Sequence, residues 1–392
     1  MKIGIVTYVR TDNYGAELQG YALQKKLNLM GYDAEVINID KVEIDAATFR
    51  EMALKGIVRR LKRNPISGMA SIIHIAVNML RNKWMGGVND GGAVSSRQAR
   101  RQDAFKEFWL NAIRHSPYVP LSELYDSEVA KKYDVLIAGS DQIWNYTRTS
   151  YLDPYFLTFA PKGVRKLSYA ASFSISNIPE SRQEQYRQLI NNIDQISVRE
   201  AEGVDIVRQL TGRDAELVLD PTLLLEKEEW MGVASGRINI NEPYVLTYSL
   251  NSSKGYWKIV TSYAKKYGLK IVNLRHDFRD NDIPAYQMDV FDAGPREFLY
   301  LIAHASLVIT NSFHGTIFSI NFGVPFLSVI NRISETNSRI LSILNALGLN
   351  AQLMYDDTPD LNRPVSLDYT VAHATLSVER AKSIDFLNKY LS

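Results

Sequence analysis

Short apolar runs alternate with stretches of helical period along most of the chain, and this alternation predicts an α/β protein. In the first half the apolar runs predict strands at residues 3–9, 34–39, 135–138, 167–171, 195–198 and 217–219. The clearest helices between them are at residues 16–30 and 180–193. Parallel strands need a crossover element between them, so the alternation favours a parallel sheet.

The second half repeats the alternation after a link at residues 222–243. Its predicted strands are at residues 245–250, 270–274, 307–310 and 325–329, and its helices at 252–267, 295–304, 316–322 and 338–347. A chain of 392 residues is too long for one ordinary core. We therefore predict two Rossmann-like α/β domains facing across a cleft, at residues 1–225 and 240–350.

Two segments lie outside this plan. Residues 41–130 are basic and rich in helical patterns, which predicts a helical insertion in the first domain. Residues 365–392 contain a final amphipathic helix, at about 378–391.

One histidine stands where a predicted strand ends and a helix starts. Residues 307–310 form an apolar run, His314 and Gly315 open the following helix, and Gly323 ends it. Ligands of open parallel sheets bind at the carboxyl ends of strands, and a helix N-terminus favours an anion. His314 is therefore a catalytic candidate, and a structural histidine capping a turn is the alternative. The neighbouring candidates for substrate binding are Ser312, Phe313, Gly315 and Thr316.

A loop follows the first strand and precedes a helix. Backbone N–H groups in such a loop can bind an anion, and a plain βα turn is the alternative reading. The substrate-binding candidates here are Asn13, Tyr14 and Gly15. The loop does not carry the G-x-G-x-x-G fingerprint of dinucleotide-binding proteins.

Residues 139–145 follow the strand at 135–138 and combine polar side chains with an aromatic ring. That mixture suits a sugar, because polar groups bind hydroxyls and an aromatic face stacks on the ring. Asp141 is a candidate general base. An Asx turn with Trp144 in the core is the alternative. The substrate-binding candidates are Ser140, Gln142, Trp144 and Asn145.

Composition narrows the class of protein. The chain is 46% hydrophobic and 22% charged, which is typical of a globular protein, and it has no cysteine. The net charge of +2 gives no general case for nucleic acid. No H-E-x-x-H or H-x-x-x-H occurs, so no metal is expected. The N-terminus leads directly into a strand without the plan of a signal peptide, which favours a cytoplasmic protein.

The charge is uneven. Residues 50–114 hold 13 Lys and Arg against four Asp and Glu, and part of this segment has the spacing of a basic amphipathic helix. Such a helix can lie on an anionic membrane, which would place the protein peripherally at the inner membrane face. A solvated face of an ordinary helical insertion is the alternative.

Five motifs together resemble the polysaccharide pyruvyl transferase family. They are Asp12-Asn13-Tyr14-Gly15-Ala16-Glu17-Leu18-Gln19, Gly139-Ser140-Asp141-Gln142-Ile143-Trp144-Asn145, Ser197-Val198-Arg199-Glu200, Leu219-Asp220-Pro221-Thr222, and the Ser-Phe-His-Gly-Thr run at 312–316. The resemblance implies a GT-B-like arrangement of the two domains, with the last helix crossing back to the first. It also implies phosphoenolpyruvate as donor and a glycan or lipid-linked sugar as acceptor. No cofactor is implied.

The resemblance assigns Arg199 to phosphoenolpyruvate binding. An arginine at a strand end can clamp a carboxylate or phosphate, and Glu200 can orient it. One position departs from the family pattern: many members carry an arginine where this chain has Ser312. Arg275, Arg332 or Arg339 can replace that charge, and the sequence does not choose among them.

The leading hypothesis is a transferase that moves a pyruvyl group from phosphoenolpyruvate to a pair of sugar hydroxyls, forming a ketal. His314 is the expected acid and base, Arg199 the anion clamp and Asp141 a second proton carrier. A glycosyltransferase of the same fold that uses a nucleotide sugar is the second hypothesis. A non-catalytic glycan-binding protein is the third. The acceptor sugar, the position of the ketal and the oligomeric state are left open.

Overall fold

The computed structural model describes residues 1–39, 91–126, 128–149, 151–275, 288–332, 337–365 and 367–392. Two parallel sheets, one in each half of this chain, form the framework. Ten helices of more than one turn and five 3₁₀ turns lie among these residues. The predicted α/β class is therefore confirmed.

The first sheet has the strand order β2-β1-β3-β4, and every neighbouring pair is parallel. A two-stranded piece, β5-β6, continues it through single bridges between Leu167 and Gln195 and between Ala171 and Val198. The strands are β1 (Lys2–Val6), β2 (Asp33–Val36), β3 (Val135–Ala138), β4 (Arg165–Ser168), β5 (Ser197–Val198) and β6 (Glu216–Leu217). The helices of this half are α1 (Tyr14–Leu29), α2 (Gly91–Ala112), α3 (Glu180–Asn191) and α4 (Ala201–Thr211).

The second sheet has the order β12-β11-β10-β7-β8-β9 and is also parallel throughout. Its strands are β7 (Tyr244–Tyr248), β8 (Lys270–Leu274), β9 (Met288–Val290), β10 (Leu307–Thr310), β11 (Phe326–Ile330) and β12 (Leu353–Tyr355). Its helices are α5 (Lys227–Met231), α6 (Lys254–Tyr267), α7 (Pro295–Ala303), α8 (Phe313–Phe322) and α9 (Ser338–Ala346). The 3₁₀ turns are Leu121–Glu123, Ala130–Lys132, Asp153–Phe156, Pro221–Leu223 and Asn350–Gln352.

Each sheet reverses its strand order next to its first strand. In the first sheet the chain moves from β1 to β2 and then returns to β3, on the other side of β1. In the second it moves from β7 through β8 to β9 and then returns to β10, beside β7. The connections at such a reversal leave in opposite directions and open a crevice at the carboxyl ends of the strands, where ligands bind.

Half of the predicted strands were too long at their carboxyl ends. The strand predicted at residues 3–9 ends at Val6, and the one predicted at 167–171 ends at Ser168. The apolar residues beyond these ends are buried without forming a ladder, because they lead into the loops of the crevice. The helix predicted at 316–322 begins earlier, at Phe313, so that His314 is its second residue.

The two halves share one hydrophobic core. The ring of Tyr14 in α1 stacks on Phe298 in α7 at 4.6 Å between ring centres, and its hydroxyl donates to the carbonyl of Ala293. Arg101 of α2 donates to the Tyr14 hydroxyl and to the carbonyls of Asp12 and Phe291. These contacts hold the first half against the second near the crevice.

The last helix, α10 (Thr370–Leu391), contacts both halves. Near its start, His373 hydrogen-bonds to the carbonyl of Ile320 in α8. Further along, Ser383 accepts a hydrogen bond from the amide of Leu219, and Phe386 packs against Tyr169. Among the residues that the structure describes, no helix is long and apolar enough to cross a membrane.

Candidate active site

His314 lies at the carboxyl end of β10, in the first turn of α8. Ser312 caps this helix, since its hydroxyl accepts a hydrogen bond from the amide of Gly315. The His314 side chain is 11% exposed, and its ring lies against Gly15 at the start of α1. A Cβ atom on Gly15 would lie 2.0 Å from His314 Nδ1, far inside van der Waals contact. Only glycine at position 15 therefore lets the two helix starts meet.

Asp220 lies at the centre of a buried cluster. Its Oδ2 accepts hydrogen bonds from Arg199 Nη1 at 2.5 Å and from Ser140 Oγ at 3.1 Å. The same oxygen lies 3.9 Å from His314 Nε2. Its Oδ1 accepts from the amide and hydroxyl of Thr222. Asp220 thus orients the guanidinium of Arg199 and faces the imidazole of His314.

Two further carboxylates flank Arg199. Asp141 Oδ1 lies 3.9 Å from Nη2, and Glu200 Oε2 lies 4.0 Å from Nε. Glu200 is held by Ser172 and Ser174, whose hydroxyl and amide donate to its Oε1. Asp141 has a positive φ of 74°, a strained conformation in the loop that follows β3, and its side chain lies beside Arg199.

The cluster shifts the pKa values of its members. Burial alone would lower the pKa of Arg199, but Asp220, Glu200 and Asp141 outweigh it and raise that pKa. Burial would raise the pKa of Asp220, but Arg199 and His314 lower it. Burial lowers the pKa of His314 to about 4, against the opposing effect of Asp220. Near neutral pH, Arg199 and Asp220 are therefore charged and His314 is neutral.

Several donors of this cluster have no partner within the described part of the chain. They are His314 Nε2, Arg199 Nε and Arg199 Nη2, all buried. Buried polar groups are nearly always hydrogen-bonded, so three unpartnered nitrogens in one place mark a site for a ligand with acceptor oxygens.

Five of the predicted substrate-binding residues make structural contacts, and their roles in substrate binding stay predictions. Trp144 is fully buried, stacks on Phe156 at 4.5 Å and donates to the carbonyl of Tyr155, so it has no free face for a sugar. Tyr14 joins the two halves, as described above. Gln142 accepts from Arg148, Asn145 caps a turn through Thr147, and Thr316 bonds within the core to Ser312 and Ser328.

The other predicted residues lie at or beside the cluster. Asn13 is the N-cap of α1 and accepts from the amide of Ala16. Gly15 contacts His314, and Gly315 lies against the side chain of Thr310. Ser140 bonds to Asp220, and the guanidinium of Arg199 lies 4.8 Å from the ring centre of Phe313.

Asp220 was not among the site residues predicted from the sequence, where it appeared only as part of a motif. The signal that could have found it was its position directly after an apolar run, as with Arg199. Of the three arginines considered as replacements for the missing charge, Arg275 pairs with Asp289 and Arg332 with Asp357. Only Arg339 reaches the cluster, with its guanidinium 5.3 Å from the ring centre of Phe313.

The basic segment is only partly described. Residues 40–90, which carry most of the predicted amphipathic helix, lie outside the described residues. In α2, Arg97 pairs with Asp289, and Arg100 pairs with Asp292. These two basic residues of α2 therefore pair with acidic residues of the second half of the molecule.

Over the described ranges, no group of three His, Asp or Glu side chains is placed to hold a metal ion. The arrangement instead provides a guanidinium with free donors, a neutral imidazole and a nearby carboxylate. This set can bind an anion and transfer protons beside it.

The fold and site define an α/β protein with two parallel sheets and a cluster of charged side chains at their strand ends. The chain belongs to the polysaccharide pyruvyl transferase family, whose description matches residues 13–332, well over half of its length. The predicted family, and with it the assignment to a family of transferases, is confirmed. None of the curated proteins matches the sequence.

Solved structures with the same type of fold share little sequence with this chain. A Listeria monocytogenes protein described as a UDP-N-acetylglucosamine 2-epimerase has a TM-score of 0.50 at 10% identity, over 98% of this chain and 88% of that chain. UDP-GlcNAc 2-epimerase from Neisseria meningitidis gives 0.48 at 11%, over 100% and 92%. Arabidopsis thaliana UGT89C1 gives 0.48 at 11%, over 99% and 95%. The first match supports the GT-B-like fold and nothing about substrate.

Proposed function

We propose that this protein transfers a pyruvyl group from phosphoenolpyruvate to two hydroxyls of a sugar in a surface polysaccharide or its lipid-linked precursor. The product is a cyclic pyruvate ketal, and phosphate is released. The observation that carries the proposal is the cluster of His314, Asp220 and Arg199, in which a buried guanidinium and a neutral imidazole have nitrogens without a partner among the described residues.

Arg199 binds an anionic group of the donor. Phosphoenolpyruvate carries a carboxylate and a phosphate, and both accept the paired hydrogen bonds that a guanidinium offers. Asp220 and Ser140 hold Nη1, whereas Nε and Nη2 make no hydrogen bond to the described residues and keep their donors for the ligand. Because three carboxylates already fix this side chain, little rotamer entropy is lost when the donor binds.

His314 acts as the acid that starts the reaction. In the free protein its imidazole is neutral, since burial lowers its pKa to about 4. A multiply charged anion beside the ring favours the imidazolium. Donor binding therefore raises the pKa of His314, and the imidazole takes up a proton. Transfer of that proton to the methylene carbon of phosphoenolpyruvate converts the double bond to a methyl group and leaves an oxocarbenium-like centre.

Two carbon–oxygen bonds then form at that centre and one breaks. The first sugar hydroxyl adds and loses its proton, for which Asp141 is the proposed base. The second hydroxyl then adds as the bond to the phosphate oxygen breaks, and phosphate leaves with the electron pair. One of the two hydroxyl protons replaces the proton spent on the methyl group, so His314 and Asp141 return to their starting states with one proton released.

Binding measured by calorimetry tests the donor. We expect the wild type to bind phosphoenolpyruvate, and the Arg199→Lys variant to bind it at least tenfold more weakly, because lysine cannot make the paired hydrogen bonds. Lysine keeps the buried positive charge, which protects the fold better than alanine would. Tight binding of a nucleotide sugar instead would indicate the glycosyltransferase, and glycan binding without any donor would indicate the non-catalytic alternative.

Turnover tests His314. The His314→Gln variant is expected to lose about 10²–10⁴-fold in the rate of phosphate release from phosphoenolpyruvate with acceptor present. His304→Ala is the matched control, because His304 is an exposed histidine at the end of α7 that bonds only to the carbonyl of Tyr300 among the described groups. A near-normal rate in His314→Gln would reject the acid role.

The location is part of the proposal. We place the reaction in the cytoplasm, with peripheral attachment to the inner membrane face through residues 50–90 as the way to reach a lipid-linked acceptor. Deleting residues 52–81 should weaken binding to anionic vesicles while leaving phosphoenolpyruvate affinity unchanged. Unchanged vesicle binding would reject the attachment.

A further inference from the structure

Arg339 extends into the site from the second half of the molecule. It lies in the first turn of α9, next to the cap residue Asn337. Its guanidinium carbon lies 5.3 Å from the ring centre of Phe313, and that of Arg199 lies 4.8 Å from the same ring. A single aromatic ring, at the start of the helix that carries His314, is therefore contacted by an arginine from each half.

Arg339 differs from the other arginines around it. Arg332 pairs with Asp357, and Arg380 pairs with Glu226. Arg339 has no carboxylate within 4 Å in the described ranges, and its Nε is buried without a hydrogen-bond partner. Leaving a buried guanidinium nitrogen unsatisfied costs free energy, so the position requires a reason.

The electrostatic environment makes the cost larger. Burial lowers the pKa of Arg339 to about 10, and Arg199 acts in the same direction. The carboxylates of Asp141 and Glu200 oppose the effect, but both already flank Arg199. At neutral pH two guanidinium cations thus lie around Phe313, and the second one has no carboxylate of its own among the residues that the structure describes.

We propose that Arg339 and Arg199 together bind the phosphate group of the donor, one guanidinium from each half of the molecule. A phosphate dianion has three acceptor oxygens and two charges, which match two guanidinium groups better than one. The identity of the donor rests on the proposed function, whereas binding of a phosphate-type anion rests on the geometry alone. Arg339 is a substrate-binding residue in this proposal and makes the site complete only when both halves are present.

The experiment compares Arg339→Gln with Arg332→Gln. Arg332 is the matched control, because it lies seven positions earlier, is exposed and is paired with Asp357 outside the cluster. Three quantities are measured for each variant and the wild type: the Tm without ligand, the rise in Tm with inorganic phosphate, and the Kd of phosphoenolpyruvate by calorimetry. Phosphate stabilises whichever protein binds it, in proportion to occupancy.

We expect Arg339→Gln to keep or raise the Tm of the ligand-free protein, because the substitution removes an unpaired like charge. The phosphate-induced rise should be lost, and the Kd of phosphoenolpyruvate should increase about 10- to 100-fold. Arg332→Gln should behave as the wild type. A structural arginine would give the reverse pattern, with a lower ligand-free Tm and an unchanged phosphate-induced rise, and that result would overturn the proposal.

Arg339→Lys is a second variant, which keeps the proposal testable if Arg339→Gln fails to fold. Lysine keeps the charge without the paired hydrogen bonds, so part of the phosphate-induced rise should remain. If Arg339→Lys binds phosphate and phosphoenolpyruvate as tightly as the wild type, with Arg339→Gln also unchanged or unfolded, the proposal is wrong. The Arg339 variants can also lose phosphate binding while the wild-type protein binds phosphoenolpyruvate no more tightly than phosphate. That result would support the anion site and reject phosphoenolpyruvate as the donor.

Discussion

The two halves of the molecule bring opposite kinds of group to the crevice. The first half supplies a guanidinium already surrounded by carboxylates, from Arg199, Asp141, Glu200 and Asp220. The second half supplies His314, Phe313 and Arg339, and over its described ranges it brings no carboxylate of its own into the cluster. On one side of the site the guanidinium is neutralised, by more carboxylate charge than it carries, and on the other side the guanidinium is not neutralised.

The two halves differ in how fully their site residues are held in place before a ligand binds. Asp220 is fixed by four donors from Arg199, Ser140 and Thr222, so the first half holds its geometry without a ligand. Nitrogens with no partner among the described residues occur on Arg199 itself and on the imidazole and second guanidinium, but only the latter two groups lack carboxylates from their own half. The asymmetry suits a multiply charged anion, because the ligand then provides the interactions that the second half lacks.

Two aromatic residues show the same contrast. Trp144 follows β3 and has both its ring and its indole N–H engaged in the core of the first half. Phe313 opens α8 and is contacted by two arginines at the crevice. Both were predicted to bind substrate, and only Phe313 lies where it can.

Asp220→Asn should give the largest effect and tests the neutralised side. We expect the free energy of unfolding to fall by about 3–5 kcal/mol, because the substitution breaks a buried ion pair and leaves the Arg199 guanidinium less compensated. Urea denaturation measures it. Asp357→Asn is the control, since that residue forms an exposed pair with Arg332 and should cost at most about 1 kcal/mol. Equal losses in the free energy of unfolding of the two variants would contradict the contrast between the two sides of the site.

The pH dependence of stability tests the unneutralised side. His314 has a pKa of about 4 in the folded protein, below the ordinary 6.5. Between these values the unfolded chain binds more protons, so stability is lost as the pH falls through this window, by about 3 kcal/mol in total. The His314→Gln variant should lack this component when unfolding is followed from pH 7 to pH 4. Parallel curves for the two proteins would show that His314 is not neutral in the fold.

Gly15→Ala tests the contact between the halves. The added methyl group would overlap the His314 ring, so we expect the ring to move by about 1 Å and the rate to fall about 100-fold, or roughly 3 kcal/mol. Gly232→Ala is the control, because its Cβ would make ordinary contacts, 3.4 Å from the nearest carbonyl oxygen. If both variants react at the wild-type rate, the contact at position 15 does not position His314.

Trp144→Phe should give the smallest effect on the reaction. The variant loses the hydrogen bond to the carbonyl of Tyr155 and some core volume, which costs about 1–3 kcal/mol of stability. The rate and the KM for the acceptor should change less than about twofold. A large rise in the KM of the acceptor would restore Trp144 as a sugar-stacking residue.

Much of the framework could be predicted because local patterns encode it. Buried parallel strands are continuous apolar runs, and β3 and β10 were predicted with the bounds that the structure has. Helix ends at Gly268 and Gly323 follow from the left-handed conformation that glycine readily adopts. The carboxyl ends of strands were less predictable, because apolar residues also line the loops beyond them.

The site could be predicted only as a set of separate strand ends. Arg199 stands directly after an apolar run, and Asp141 and His314 follow such runs within a few residues; this position and the family resemblance made them candidates. Whether a polar residue at such a place faces the crevice or the core depends on neighbours distant in sequence. For that reason the sequence offered Trp144 and Tyr14 as substrate-binding residues although both are engaged in the core, and it did not single out Asp220.

By itself the sequence determined the α/β class, the family and the order of strands and helices, because apolar periodicity and local motifs act over a few residues. Only the tertiary structure decided that Asp220 joins Arg199 to His314, that Gly15 is required by a ring 299 positions away, and that Arg339 rather than Arg275 or Arg332 reaches Phe313. These contacts depend on the packing of one sheet against the other, and no local pattern of residues contains that information.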